Sequence, residues 1–341
     1  MNATLESNPA LADWLRSHVE GFDGPFKASR IAGGQSNPTF VLESGGRRWV
    51  LRRQPPGELL ASAHAVDREF RVLQALHGGP VPVAQPLALC TDRTVIGSQF
   101  YLMAHVDGEV FADPALPGVA REARVDYLLG MVRTLAAIHA LDPAAVGLAE
   151  HGRPGDYFAR QLQRWTTQYR ASEGEPIAAM EALIRALPAR CPADDGSAVL
   201  VHGDYRMDNL IWHHGRPEVA AVVDWELSTL GHPAADLGAL CMALRLPRNP
   251  VLPGLAGLDR EAEGLPGEAA LLEAYRAHNP RAGLPDWGFV LAFSFFRLAA
   301  IAQGVARRAE QGNASSPQAR QAGAMTGMLA GMGLECLEAG P

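Results

Sequence analysis

His202-Gly203-Asp204-Tyr205-Arg206-Met207-Asp208-Asn209, followed after a short apolar run by Asp224-Trp225-Glu226, is the stretch that decides how this chain reads. Asn209 lies five residues beyond Asp204, and Asp224 fifteen beyond Asn209, at the end of the apolar pair Val222-Val223. Each of these residue types has a use in one chemistry. A carboxylate within hydrogen-bond reach of a hydroxyl orients it and takes its proton. An amide oxygen and a second carboxylate are hard donors, of the kind magnesium accepts when phosphates supply its other ligands. The spacing implies metal-assisted phosphoryl transfer, with Asp204 catalytic and Asn209 and Asp224 on the metal.

The neighbours extend that reading. His202 is expected to brace the loop. Arg206, two residues past Asp204, can neutralise the phosphate in transfer through charge-assisted hydrogen bonds. Asp208 and Glu226 flank the metal positions as supporting carboxylates. Asp236, in His232-Pro233-Ala234-Ala235-Asp236, opens a helix after the metal loop and is expected to hold loop backbone amides.

Toward the N-terminus, Gly33-Gly34-Gln35-Ser36-Asn37 follows one strand and precedes another. A Walker A loop needs a helix and a Lys-Ser/Thr pair there; the segment instead resembles the glycine loop that covers nucleotide phosphates in kinases. Gly33, Gly34, Ser36 and Asn37 are its candidate nucleotide contacts. Eighteen residues after Gly34 a strand, Trp49-Val50-Leu51, ends at Arg52. A cation here grips phosphates, and it is an arginine because Lys27 is the one lysine among 30 basic residues. Arg53 is the register alternative. Strand alternation puts Arg52 on the face of Val50, opposite Leu51. Glu69, on the helix expected over 64–76, is the natural ion-pair partner, with Glu58 in a Pro/Gly loop as the weaker candidate. The strand Phe100-Tyr101-Leu102-Met103-Ala104-His105-Val106 then forms a hinge, with Met103 and His105 expected to line the nucleotide base.

The fold expected is α+β and bilobal. Residues 1–106 form a β-rich lobe with an N-terminal helix, the glycine loop, a sheet and one further helix. Residues 107–341 form a mostly helical lobe with the catalytic and metal loops and a helical substrate subdomain. Strands 199–201 and 220–223 flank the catalytic loop, and helices are expected over 127–139, 157–170 and 177–187. Residues 287–306 are apolar enough to invite a membrane reading, but Arg297 falls at their midpoint and marks a buried core helix. The net charge of -7 argues against nucleic acid or an acidic membrane as partner. Four scattered cysteines without a CxxC pair suit buried thiols in a reducing cytoplasm.

On these residues the chain resembles the aminoglycoside phosphotransferase and choline kinase superfamily, which has the protein-kinase-like fold. Choline kinases also carry arginine at the strand position of Arg52. Gly34-Gln35-Ser36-Asn37-Pro38-Thr39, Leu51-Arg52-Arg53-Gln54-Pro55-Pro56-Gly57, Ala63-His64-Ala65-Val66-Asp67-Arg68-Glu69 and Asp224-Trp225-Glu226-Leu227-Ser228-Thr229-Leu230-Gly231 are similar to the kinase domain fused to acyl-CoA dehydrogenases. That resemblance implies ATP and Mg2+ as cofactors and a small-molecule hydroxyl as acceptor, specifically that of a 4-hydroxyacyl-CoA. An aminoglycoside or choline-like amino-alcohol acceptor is the alternative, and a nucleotide-binding pseudokinase a second. Aminoglycosides are polycations that need an acidic cleft, whereas residues 245–341 balance nine arginines against nine acidic residues. Arg297 and Arg307-Arg308 are candidates for an anionic, partly apolar substrate.

Overall fold

Asn8 caps the first helix, α1 (Pro9–His18), by accepting the Leu11 N–H at 3.0 Å, and Pro9 occupies a position where its missing N–H is harmless. This computed structural model describes residues 5–31, 37–55, 65–249, 252–280, 283–310 and 319–339. Five strands follow: β1 (Lys27–Arg30), β2 (Thr39–Ser44), β3 (Arg47–Arg53), β4 (Pro86–Cys90) and β5 (Phe100–Ala104). They form one antiparallel sheet in the order β1-β2-β3-β5-β4. Period-2 alternation gives the sheet two different faces. Phe40, Leu42, Trp49, Leu51, Phe100 and Leu102 bury against Leu11 and Leu15 of α1. Arg52, Tyr101 and Met103 lie on the other face, toward helix α2 (Val66–Leu76).

Helix α2 carries Phe70, Leu73 and Leu76 into a core that also holds Met131 and Leu135 of α3 (Arg124–His139) and Trp212. The sheet lobe and the helical lobe therefore share a continuous apolar cluster. Each large side chain fully buried there contributes about 1.5–3 kcal/mol, so α2 is held from both sides.

The second lobe continues with α4 (Tyr157–Ser172), α5 (Ala178–Ala189), α6 (Ala234–Met242), α7 (Glu268–His278), α8 (Trp287–Glu310), α9 (Ala319–Ala324) and α10 (Thr326–Glu338). Helix α8 runs through its centre against α4, α5, α6, α9 and α10. Its most apolar window has mean hydropathy 1.8 and is 67% buried, with Phe289, Phe293, Phe295 and Phe296 in the core. This is the buried core helix expected of residues 287–306. The final Gly/Ala/Met-rich segment packs on it as α9 and α10.

Two small antiparallel ladders carry the loops of interest, β6 (Val199–Val201) with β9 (Thr229–Gly231), and β7 (Leu210–Trp212) with β8 (Val219–Val222). The segments flanking the catalytic loop are thus not each other's partners. The four cysteines are unpaired; Cys90 and Cys241 are buried, and Cys191 and Cys336 are half-buried.

Candidate active site

The β7–β8 hairpin explains the fifteen-residue interval read from the sequence. Leu210 pairs with Val222, and one step outward Val223 N–H donates to Asn209 carbonyl oxygen at 3.0 Å. Folding the hairpin thus brings Asp224 beside Asn209. Asp224 adopts a left-handed conformation, φ 66°, which turns the chain off the strand into a short 3-10 turn over Trp225–Leu227.

Asp204 sits across from this pair on a loop whose polar backbone is almost fully engaged. Asp236, buried on α6, accepts the N–H groups of His202 at 2.6 Å and Gly203 at 2.9 Å. Burial opposes the Asp236 charge, but His139, His202 and the Gly203 N–H hold its pKa below the ordinary carboxylate value. His202 Nδ1 accepts the Asp204 N–H at 3.2 Å, and its Nε2 lies 2.9 Å from the Val223 carbonyl oxygen. That pairing sets the Nε2–H tautomer and ties the catalytic loop to the strand end before Asp224. Asn209 Nδ2 donates to the Asp204 carbonyl at 2.8 Å and to Asp204 Oδ2 at 3.2 Å, which leaves the Asn209 amide oxygen for a cation. Gly203 has φ 84°, and a Cβ there would meet the Leu227 carbonyl oxygen at 2.5 Å; only glycine fits.

The second half of the site is built around Arg52. Its Nε lies 2.8 Å from Glu69 Oε2, one Nη bonds Asp224 Oδ1 and stands 3.6 Å from Glu226 Oε2, and the other is 3.4 Å from Thr39 Oγ1. Tyr101 hydroxyl donates to Glu69 at 3.1 Å. Burial opposes the Arg52 charge, but Glu69 and the other acidic neighbours hold its pKa above the ordinary value. Burial pushes Glu69 above the usual carboxylate range, Arg52 opposes the shift, and Asp224 and Glu226 add to it. Three carboxylates face one guanidinium, an arrangement with room for further positive charge.

The structure thus gathers Asp204, Asn209 and Asp224 in one loop set and Arg52 with Glu69 against it. Arg53 points away, to Ser98 Oγ at 3.0 Å and the Ile96 carbonyl at 3.0 Å. Asn37 is turned inward: its Nδ2 donates to Glu69 at 2.7 Å and Glu226 at 3.3 Å, so the amide joins the ion-pair network rather than facing the cleft. Gly33, Gly34 and Ser36, like Glu58, lie outside the described residues. Arg206 is half-exposed, 4.0 Å from Asp204 Oδ1, and its guanidinium is paired with Asp208. Met103 is half-buried on β5, and His105 follows near Arg48 and Asp107, where burial and the Arg48 charge lower its pKa. Among the described residues no cluster of three or more His, Cys, Asp or Glu could hold a metal alone. Asn209 and Asp224 are therefore a partial donor set, which suits magnesium bound jointly with phosphates.

Two of the C-terminal arginines read as candidates for an anionic substrate have protein partners. Arg297 donates from Nη2 to the Gly203 carbonyl, beneath the catalytic loop, and Arg307 pairs with Glu310 at 3.0 Å. The sequence carried no sign of the Arg297 contact, which joins residues 94 apart through a backbone oxygen.

Residues 27–273 match the model of the phosphotransferase enzyme family. The chain is 45% identical over 327 residues to mouse acyl-CoA dehydrogenase family member 10, covering 93% of this chain and 30% of that protein. It is 39% identical over 312 residues to human acyl-CoA dehydrogenase family member 11, covering 90% of this chain and 40% of that one. The chain thus spans well under half the length of these curated relatives. A crystal structure from Ralstonia eutropha, of a protein assigned to the aminoglycoside phosphotransferases, superposes with TM-score 0.88 at 45% identity, covering 97% of this chain and 98% of that one. Aminoglycoside phosphotransferase APH(4)-Ia, in ternary complex with AMP-PNP and hygromycin B, superposes with TM-score 0.63 at 16% identity over 96% and 98% of the two chains, a likeness of fold. With its sheet lobe, helical lobe and Asp204–Asn209–Asp224 loops, the chain belongs to the phosphotransferase enzyme family and is a phosphotransferase of kinase-like fold.

Proposed function

We propose that this phosphotransferase moves the γ-phosphate of ATP to the hydroxyl of a hydroxyacyl-CoA, with the hydroxyl at the 4 position. The observation that carries the transfer chemistry is the meeting of Asp204 with Asn209 on one side and Arg52 with Asp224 and Glu69 on the other. The oxygen donors fit magnesium, and the three carboxylates around Arg52 leave negative charge for a cation to balance. Bound magnesium would supply charge neutralisation on the phosphates, held by the Asn209 amide oxygen and the Asp224 carboxylate.

The protein's own groups do the rest. Asp204 Oδ2 is occupied by Asn209, so Oδ1 is the atom that orients the acceptor hydroxyl and takes its proton. Arg52, fixed by Glu69, grips nucleotide phosphates from the sheet side. Gly33, Gly34 and Ser36 keep the phosphate-binding role read from the sequence, and Asn37 bonds Glu69 beside Arg52. Met103 and His105 border the base at the hinge. Arg206, steadied by Asp208, adds positive charge beside the acceptor. The hydroxyacyl-CoA assignment leans on 39–45% identity to acyl-CoA dehydrogenase family members over nearly all of this chain, and because the Ralstonia eutropha protein assigned to the aminoglycoside phosphotransferases is likewise 45% identical, the amino-alcohol acceptor stays in the test.

The test is magnesium-dependent ADP release with 4-hydroxyacyl-CoA thioesters set against kanamycin-type aminoglycosides and choline, with Asp204→Asn as the blank. Turnover on the thioesters, lost in Asp204→Asn while ATP binding persists, is the expected result. Turnover on an aminoglycoside or choline alone overturns the acceptor. Silence on every acceptor with ATP still bound overturns the hydroxyacyl-CoA acceptor and leaves either another hydroxyl substrate or a nucleotide-binding pseudokinase.

A further inference from the structure

Arg297 is an arginine in the middle of an apolar helix, and its surroundings do not treat it as an ion-pair partner. Its neighbours along α8, Phe293, Phe295 and Phe296, are buried in the core. Its guanidinium carbon lies 5.4 Å from the centre of the Trp165 ring on α4, a cation–π contact. Its Nε is buried without a hydrogen-bond partner. Among the described residues no carboxylate pairs with it, whereas Arg170, Arg190, Arg245 and Arg307 of the same lobe each have one. Arg297 is half-buried, and a partly desolvated cation with no carboxylate beside it is costly unless something specific is gained. Among the described residues the one hydrogen bond it makes is from Nη2 to the carbonyl oxygen of Gly203.

That oxygen belongs to the peptide plane that delivers Asp204. The N–H on the other end of the same plane is taken by His202 Nδ1, at 3.2 Å. The preceding N–H, of Gly203, goes to Asp236, and the following carbonyl, of Asp204 itself, receives Asn209. Gly203 is the residue most free to rotate in this segment, because φ 84° is open to it at little cost. Without a donor on its carbonyl, the plane between Gly203 and Asp204 would rest on a single 3.2 Å bond to an imidazole.

We propose that Arg297 is a positioning residue for phosphoryl transfer: it locks the Gly203–Asp204 peptide plane, and so the aim of the Asp204 carboxylate, from the helical core beneath. The proposal rests on the reading that Asp204 serves the acceptor hydroxyl. It differs from a substrate-binding role for Arg297, because the guanidinium is spent on the loop. The planar guanidinium lies against Trp165, a contact lysine cannot reproduce in kind although it can still donate to the carbonyl.

Arg297→Met keeps an apolar stem of similar length and removes the donor; Arg297→Lys keeps a donor. With ATP and the acceptor that turns over, Arg297→Met is expected to lower kcat about a hundredfold, the scale of a misaimed catalytic group. The KM for both substrates should stay within about twofold, the signature of an interaction that acts on the transition state. Arg297→Lys should recover part of kcat. Independently of turnover, amide hydrogen exchange of a peptide spanning 199–210 should quicken in Arg297→Met while the Kd for ATP is unchanged. A rise in acceptor KM at constant kcat would make Arg297 a binding residue and overturn the proposal. So would a lower Tm with kcat and loop exchange unaltered. If Arg297→Met fails to fold, Trp165→Phe removes the larger stacking surface, and unchanged loop exchange and kcat there and in Arg297→Lys would sink the idea. A wild-type protein silent on every acceptor defeats the proposed acceptor, yet the exchange experiment still decides whether Arg297 holds the loop.

Discussion

Arg52 shows how much one side chain settles in this site. Glu69, Asp224 and Glu226 converge on it, and Glu69 is almost wholly buried. Removing the guanidinium leaves a buried carboxylate facing two others with no cation. Arg52→Met is therefore expected to lose about 3–5 kcal/mol in urea denaturation, with Glu69→Gln in the same background restoring part of it. Equal stability of Arg52→Met and the wild type would show that the carboxylates do not depend on Arg52. At this scale the sequence was highly legible. Residue type and spacing pointed to Asp204, Asn209 and Asp224, which the fold brings together, and the strand end pointed to Arg52 with Arg53 as the register alternative, which the fold turns away to Ser98 and Ile96. Glu69 followed as partner because the next helix offered an acid at the right turn. The inward turn of Asn37 was not legible, since a polar residue after a glycine loop fits the cleft and the network equally well.

Helix α2 owes its placement to a joint that no motif announces. Arg68, beside Glu69, donates to the His151 carbonyl at 2.7 Å and lies 3.4 Å from the Ser228 carbonyl, four residues past Asp224. His151 Nε2 is 2.9 Å from Ser228 Oγ. Burial, with Arg68 and Arg71 nearby, lowers the His151 pKa from 6.5 to about 4. On acidification the unfolded chain takes this proton near pH 6.5 and the folded one only near pH 4. The unfolded state binds more protons in between, so stability falls as pH drops through that window. Between pH 7 and pH 5 this single group should remove about 2 kcal/mol. His151→Gln should shrink by that amount the difference between the unfolding free energies obtained from urea titrations at the two pH values. An unchanged difference would mean that His151 is not buried neutral at this joint. The element boundaries themselves were largely readable: α2, α3, α4 and α5 fall within a few residues of their hydrophobic patterns. The pairing of β6 with β9 was not, because three-residue strands carry no periodicity to match.

Across the whole molecule, α8 links the stability of the helical lobe to the geometry of the catalytic loop. It packs against five other helices and carries Arg297 to Gly203. Phe296, next to Arg297, is fully buried. Phe296→Ala is expected to cost about 3–5 kcal/mol, read as a lower Tm, and to loosen hydrogen exchange in the catalytic loop together with α8. Loss of Tm with the loop's exchange unchanged would separate the two. The shared cluster beneath α2 works in the same direction, since the lobe bearing Arg52 and Glu69 is packed on the lobe bearing Asp204.

By itself the sequence determined the chemistry and the class of fold. Phosphoryl transfer needs particular oxygen donors at spacings set by one loop and one hairpin, and such local constraints are written in residue order. The tertiary structure alone decided what holds those donors in place. Arg297 on Gly203, Arg68 on His151 and Ser228, and Asn37 on Glu226 join residues 83 to 189 positions apart. Three of those four contacts end on backbone oxygens, which every residue possesses, so no residue type marks the receiving end and only the folded chain can bring the donor to it.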